Sequence, residues 1–289
     1  MLTNKLSASR RVYTAVMRAL LLLAAVLTAA LVVFMIVYVL YKGLPYVTWH
    51  LISTKPSYIT GAIGILPDIC NTVQILLASL LIVLPLGVGA AVYLTEYAQN
   101  KKLVAAIEYA AETLSGIPSI IYGFFGMVII RPFIAQLTGG LGFGALTAWF
   151  VLAIMIVPTI TTLTIDALNS IPMGIREASY AMGATKWQTI YKVVLPAAKL
   201  GIVDAIVLGM GRAIGETMAV IMVAGNQPRM PKGLLQGVRT MTANIVTEMG
   251  YASGLHREAL IATGVVLFVF ILIINLSLSL LNRRAEYAN

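Results

Sequence analysis

Six apolar runs, each long enough to cross a bilayer, leave this chain few ways to fold. They fall at about 19–40, 72–93, 104–130, 144–163, 200–223 and 260–281 of its 289 residues. A helix of roughly 20 apolar residues spans the hydrocarbon core. The runs are continuous rather than alternating, so helices and not barrel strands carry them. Only 11% of the residues are charged and 60% are hydrophobic, whereas a soluble domain carries roughly 25% charged residues. The expected fold is an all-α integral membrane protein with six transmembrane helices, forming a single membrane domain over 1–289.

The first run follows Arg10, Arg11 and Arg18 as the core of a secretory signal would. Its 22 residues exceed the roughly 7–15 of such a core, so it is read as a retained helix. Of the 20 Lys and Arg residues, twelve fall on the side that carries both termini, seven on the other, and Arg212 lies inside a run. Basic residues favour the cytoplasmic side, so both termini are placed in the cytoplasm. That bias also accounts for the net charge of +9; the expected surroundings are membrane lipid, with no nucleic acid. The single cysteine, Cys70, excludes an internal disulfide framework, and His50 and His256 lack metal-ligand spacing. No Gly-x-x-x-x-Gly-Lys-Ser/Thr loop occurs, so ATP, if used, is held by a partner.

The loop 169–199 is the one polar stretch with internal structure. A first helix is expected from about Gly174 to Met182, carrying Glu177, Ala178 and Ser179 and ending at Gly183, a natural left-handed C-cap. Thr185 and Gln188 have capping-box spacing, so a second helix should start at Lys186. It should stop before Pro196, which disfavours helical geometry at Leu195. Ala178, Ser179 and Ala181 offer a small-residue surface that another protein can approach closely. The alternative is a linker helix lying on the membrane.

Charges inside the runs point to what crosses. Each costs about 2.5–3.5 kcal/mol at a helix centre, yet the fifth run holds Asp204, Arg212 and Glu216. In a continuous helix Arg212 and Glu216, four apart, share a face. One reading is a neutralised pair that lets the helix insert. The other is an arginine that exchanges Glu216 for a passing oxyanion, which a guanidinium fork binds with two hydrogen bonds. The third run contains Ser115, Gly116, Pro118 and Ser119. Pro118 removes a helix hydrogen bond, and broken helices line transporter cavities; an ordinary kink is the alternative. Glu108 and Glu112 in the same run are read as interfacial, near Lys101 and Lys102. Gly87 and Gly89 in the second run allow close helix contacts.

These motifs carry a family resemblance. Glu177-Ala178-Ser179, Gly183 and Leu195-Pro196 resemble the EAA loop of ABC importer permeases, with Ser179 in place of the second alanine. Glu112 to Gly123, Gly211 to Thr217 and Gly87 to Tyr97 resemble the membrane subunits of the phosphate-specific ABC importer. The resemblance implies a type I importer permease fold with a cytoplasmic coupling helix, in a bacterial plasma (inner) membrane. It implies a paralogous permease subunit, a dimeric ATP-binding subunit that holds ATP and Mg, and an extracytoplasmic phosphate-binding protein. It also implies that Arg212 and Glu216 act in phosphate passage and that the chain itself is no enzyme. The motif around Glu216 leans to the C-type subunit, the one around Ser115 to the A-type; the former is longer and is preferred. An ABC permease for sulfate or molybdate is the runner-up. An ion-coupled carrier relaying protons through Glu108, Glu112, Asp204 and Glu216 is the reading from another class, and it leaves the loop unexplained.

Overall fold

The computed structural model describes residues 8–57 and 61–287. Lys5, used in the orientation argument, lies outside them, as do the side chains of Arg11, Arg283 and Arg284. In chain order the principal helices are α1 (Ala8–Gly43), α2 (Leu66–Tyr97), α3 (Lys101–Ser115), α4 (Ser119–Thr138), α5 (Ala145–Asn169) and α6 (Met173–Ala181). There follow α7 (Lys186–Ala197), α8 (Lys199–Gly215), α9 (Met218–Val223), α10 (Met241–Glu248) and α11 (Gly254–Tyr287). Helices α1, α2, α4, α5 and α11 are long and apolar enough to cross a membrane.

Two expected runs are divided. The stretch 104–130 is not one helix: α3 stops at Ser115, residues 116–118 are non-helical, and α4 starts at Ser119. Pro118 has no N–H to continue the ladder and adopts φ −57°, ψ 137°. The helix long and apolar enough to cross is therefore Ser119–Thr138, and α3 is a separate helix that buries none of its residues. The stretch 200–223 breaks at Glu216, whose backbone turns extended (φ −67°, ψ 128°) between α8 and α9.

Helix α5 is the centre of the bundle. In its most apolar stretch 61% of the residues are buried, against none in α1. It packs on α2, α3, α8 and α9, with Leu152, Met155, Ile156 and Ile160 almost fully enclosed. Lipid offers no hydrophobic drive between helices, so close packing has to hold them. Ile160 shows how: a Cβ on Gly87 of α2 would stand 3.1 Å from its side chain, and one on Gly209 of α8 would stand 2.7 Å away. Gly89, expected to share this role, faces open space.

The α7 helix continues through Pro196 to Ala197 rather than ending before it. A π-turn at Ile190–Val194, in which the Leu195 N–H bonds to the Ile190 carbonyl, precedes the proline. The wider turn absorbs the ring and the missing N–H without breaking the helix. A second π-turn, Gly126–Ile130, stands in the same relation to Pro132 in α4. After Ala197 the chain bends by 66° into α8.

Candidate functional site

The two helix breaks meet. After them, α4 and α9 pack face to face, and a Cβ on Gly123 would come within 2.8 Å of the Ala219 Cα. On the other side of the breaks, Arg212 of α8 donates from Nη1 to Thr159 Oγ1 of α5 (2.9 Å) and from Nη2 to the Ser115 carbonyl (3.3 Å). The break at Pro118 thus exposes the end of α3 to an arginine one turn before the other break. Tyr122 Oη donates to the neighbouring Leu114 carbonyl (2.7 Å). Ser115 Oγ is buried without a hydrogen-bond partner. Thr159 lies ten residues from the end of α5, about 15 Å at the helical rise, so the cluster sits near mid-helix.

The expected pairing of Arg212 with Glu216 is not what forms. Glu216 has left the helix, so the four-residue spacing no longer places it on the arginine's face. It is buried and accepts at Oε1 from the Ala219 N–H (3.0 Å), holding the start of α9, while its carbonyl accepts from Thr242 Oγ1 (3.1 Å). Among the described residues no carboxylate lies within ion-pair distance of Arg212. Two of the five guanidinium N–H groups are satisfied by neutral oxygens, which leaves a positive charge with donors to spare. Of the other predicted residues here, Gly116 and Pro118 are exposed at the break and Ser119 is half-buried at the start of α4. Asp204 and Glu112 are exposed and Glu108 is half-buried. No hydrogen bond among the described residues joins these three to one another or to Glu216.

The polar loop forms a knob beyond the bundle. Glu177, Ala178, Tyr180 and Ala181 of α6 are exposed. Gly183 has φ +79°, the left-handed C-cap. Both halves of the Thr185–Gln188 capping box are made. Ser179 is more than a small substitute: its hydroxyl bonds Thr189 Oγ1 (2.9 Å), tying α6 to α7. Leu195 and Pro196 lie in the last turn of α7, at the elbow into α8.

Two buried ion pairs escaped the sequence reading. Arg176, at the base of the knob, reaches Glu96 at the end of α2 (Nη2 to Oε1, 2.8 Å). At the other end of α2, Arg239 bonds both oxygens of Asp68 (3.2 and 3.1 Å) and also Glu248 (3.1 Å). Its backbone is pinned as well. The Asn71 amide donates to the Arg229 and Arg239 carbonyls, and the Met241 N–H donates to Thr72 Oγ1. The polar spacing of Asp68, Asn71 and Thr72, one helical face at the start of an apolar run, was the available signal.

The family model described as "Binding-protein-dependent transport system inner membrane component" matches residues 83–287. The chain belongs to this family of inner-membrane transport components. Within it, the chain is 41% identical over 235 residues to the probable ABC transporter permease protein YqgH of Bacillus subtilis, covering 78% of this chain and 74% of that one. It is 36% identical over 245 residues to the phosphate transport system permease protein PstC of Mesorhizobium japonicum, with 78% and 75% covered. Among solved structures it resembles a chain of the inward-facing MetNI methionine ABC transporter, at 25% identity and TM-score 0.57 over 77% of this chain and 94% of that one. A chain of a bacterial alginate ABC transporter matches in fold at 17% identity and TM-score 0.64, over 95% and 98%. The fold is that of an ABC importer permease.

Proposed function

We propose that the chain is the C-type membrane subunit of an ATP-driven importer of inorganic phosphate, paired with a related permease in a bacterial plasma membrane. Both termini and the knob face the cytoplasm, where α6 enters a cleft of the ATPase that binds ATP and Mg. An extracytoplasmic binding protein delivers phosphate to the opposite face. The observation that carries the substrate class is Arg212: a guanidinium near mid-helix, at the meeting of two helix breaks, with neutral partners only. A tetrahedral oxyanion displaces the Ser115 carbonyl and Thr159 hydroxyl from the fork and gains charge-assisted bonds in their place. Ser115 Oγ, buried and unpartnered, supplies a further donor. Glu216 acts by holding the break open through α9, not as the arginine's resting partner. The similarity to a phosphate transport system permease supports phosphate over other oxyanions.

Labelled-phosphate uptake in phosphate-starved cells, with and without the chain and challenged by sulfate and molybdate, tests the reading. Uptake should require the chain and ignore both competitors. Arg212→Gln should lower it at least about tenfold, the scale of one lost charge-assisted contact of 1.5–3 kcal/mol, while the complex still assembles. Competition by sulfate would reassign the substrate, and undiminished uptake by Arg212→Gln would remove the arginine from the pathway.

A further inference from the structure

The knob meets the bundle in two ways: Ile171, Val194 and Leu195 share an apolar cluster with Ala91 and Leu94 of α2 and Ile165 and Leu168 of α5, and α6 adds one polar anchor. Arg176 is the buried residue of α6. Of those that follow, Glu177, Ala178, Tyr180 and Ala181 are exposed and Ser179 turns to α7. Arg176 makes four hydrogen bonds to three places. Nε and Nη2 both donate to Glu96 Oε1 (3.1 and 2.8 Å), Nη2 also donates to the Leu168 carbonyl (3.0 Å), and Nη1 donates to the Ile171 carbonyl (2.6 Å). Leu168 lies in the last turn of α5, and Ile171 in the turn that leads to the knob. Glu96 lies in the π-turn Tyr93–Tyr97 that closes α2. A second contact reaches the same turn, where the Lys186 ammonium sits 4.9 Å from the centre of the Tyr97 ring.

We propose that the Arg176–Glu96 pair is the link that passes movement of the docked knob to α2, and that both are positioning residues for transport. This rests on the reading that an ATPase docks on α6. The knob is built to move as a unit, because the Ser179–Thr189 bond joins α6 to α7. A cleft of about 440 Å³ beside the pair, lined by Thr95, Asn169, Tyr180 and Lys186 among others, gives it room to shift. From Glu96 the path runs along α2 to Gly87, which seats Ile160 of α5 together with Gly209 of α8. Ile160 adjoins Thr159, the partner of Arg212. A displaced α2 therefore presses on the element that positions the arginine's hydroxyl acceptor. The carboxylate is the replaceable member: without it the guanidinium keeps its two carbonyls, so the knob stays in place but loses its ionic hold on α2.

The test uses the complete complex, with both permeases, the ATPase and the binding protein, in proteoliposomes. It counts phosphate imported per ATP hydrolysed. In Glu96→Ala the complex should assemble and hydrolyse ATP, with the ratio falling roughly three- to thirtyfold, the range of coupling changes along such networks. Glu96→Gln, which keeps one acceptor, should fall between it and the wild type. Arg176→Lys should retain more of the ratio than Arg176→Gln. An unchanged ratio in assembled Glu96→Ala would overturn the link. So would failure of both Glu96 variants to bind the ATPase, because the pair would then be a structural support of the knob. A wild-type complex without ATP-driven phosphate uptake would overturn the importer reading itself, and the link as stated with it.

Discussion

Helix α2 is held at both ends by a carboxylate and an arginine, but the two ends are built for different work. At the Asp68 end one guanidinium is shared by two acids, Asp68 and Glu248, and the side chain of Asp68 is fully enclosed. Asn71 and Thr72 pin the neighbouring backbone there as well. At the Glu96 end a single acid faces the guanidinium, whose other bonds go to carbonyls at the end of α5 and in the turn after it. A buried cation that has saturated its partners resists any displacement, since breaking a buried pair strands a charge in low dielectric. A cation with carbonyl partners to fall back on tolerates the loss of its acid. The first arrangement is an anchor and the second a joint, set about 40 Å apart along one helix at 1.5 Å per residue.

That contrast can be broken most readily by Asp68→Ala. It should cost about 3–5 kcal/mol, because buried Arg239 keeps one of its three hydrogen bonds, whereas Arg176 without Glu96 keeps two of four. Thermal or denaturant unfolding of the detergent-solubilised chain measures it. Glu96→Ala should cost less, about 1.5–3 kcal/mol, the worth of hydrogen bonds to a charged group. A loss equal to that of Asp68→Ala would erase the distinction between anchor and joint. Between the ends, Gly87→Ala should cost about 1–3 kcal/mol by crowding Ile160, whereas Gly89→Ala, facing open space, should stay within about 0.5 kcal/mol. Equal effects at the two glycines would contradict the helix contact described above. The smallest effect is expected from His256→Gln at the rim of the anchor. Its Nε2 is 3.6 Å from Glu248 and its side chain is 44% exposed, so the change should stay below about 0.5 kcal/mol. A larger loss would make the histidine part of the anchor.

Much of this was legible in the chain because it is local. The capping box at Thr185 and Gln188 and the left-handed turn at Gly183 depend on neighbours within four residues, and both form as read. Four of the six apolar runs coincide with single long helices for the same reason. What failed was the assumption that a run is one helix. Helical spacing pairs Arg212 with Glu216, and that spacing ends where Glu216 turns extended. Pro196 reads as a stop because proline breaks a regular ladder, but a π-turn is an irregular one. The two ion pairs were out of reach for another reason: Arg176 and Glu96 are 80 residues apart, Arg239 and Asp68 171. The polar face of Asp68, Asn71 and Thr72 marks a buried contact, but no pattern along the chain names its partner.

The π-turn in α7 also changes what the motif spacing means. Leu195 follows Gly183 by twelve residues, and that interval contains one residue more than regular α-helical winding of the same height would use. The extra residue is slack held in the wide turn. Deleting one residue from Ile190–Val194 would close the turn to regular winding and leave the elbow at Ala198, and all beyond it, facing as before. A deletion between Lys199 and Arg212 meets no such slack and would rotate Arg212 by about 100° around the helix axis, one residue's share of a 3.6-residue turn. Tolerance to deletion should therefore be highest at the wide turn and low in the regular helix that carries the arginine.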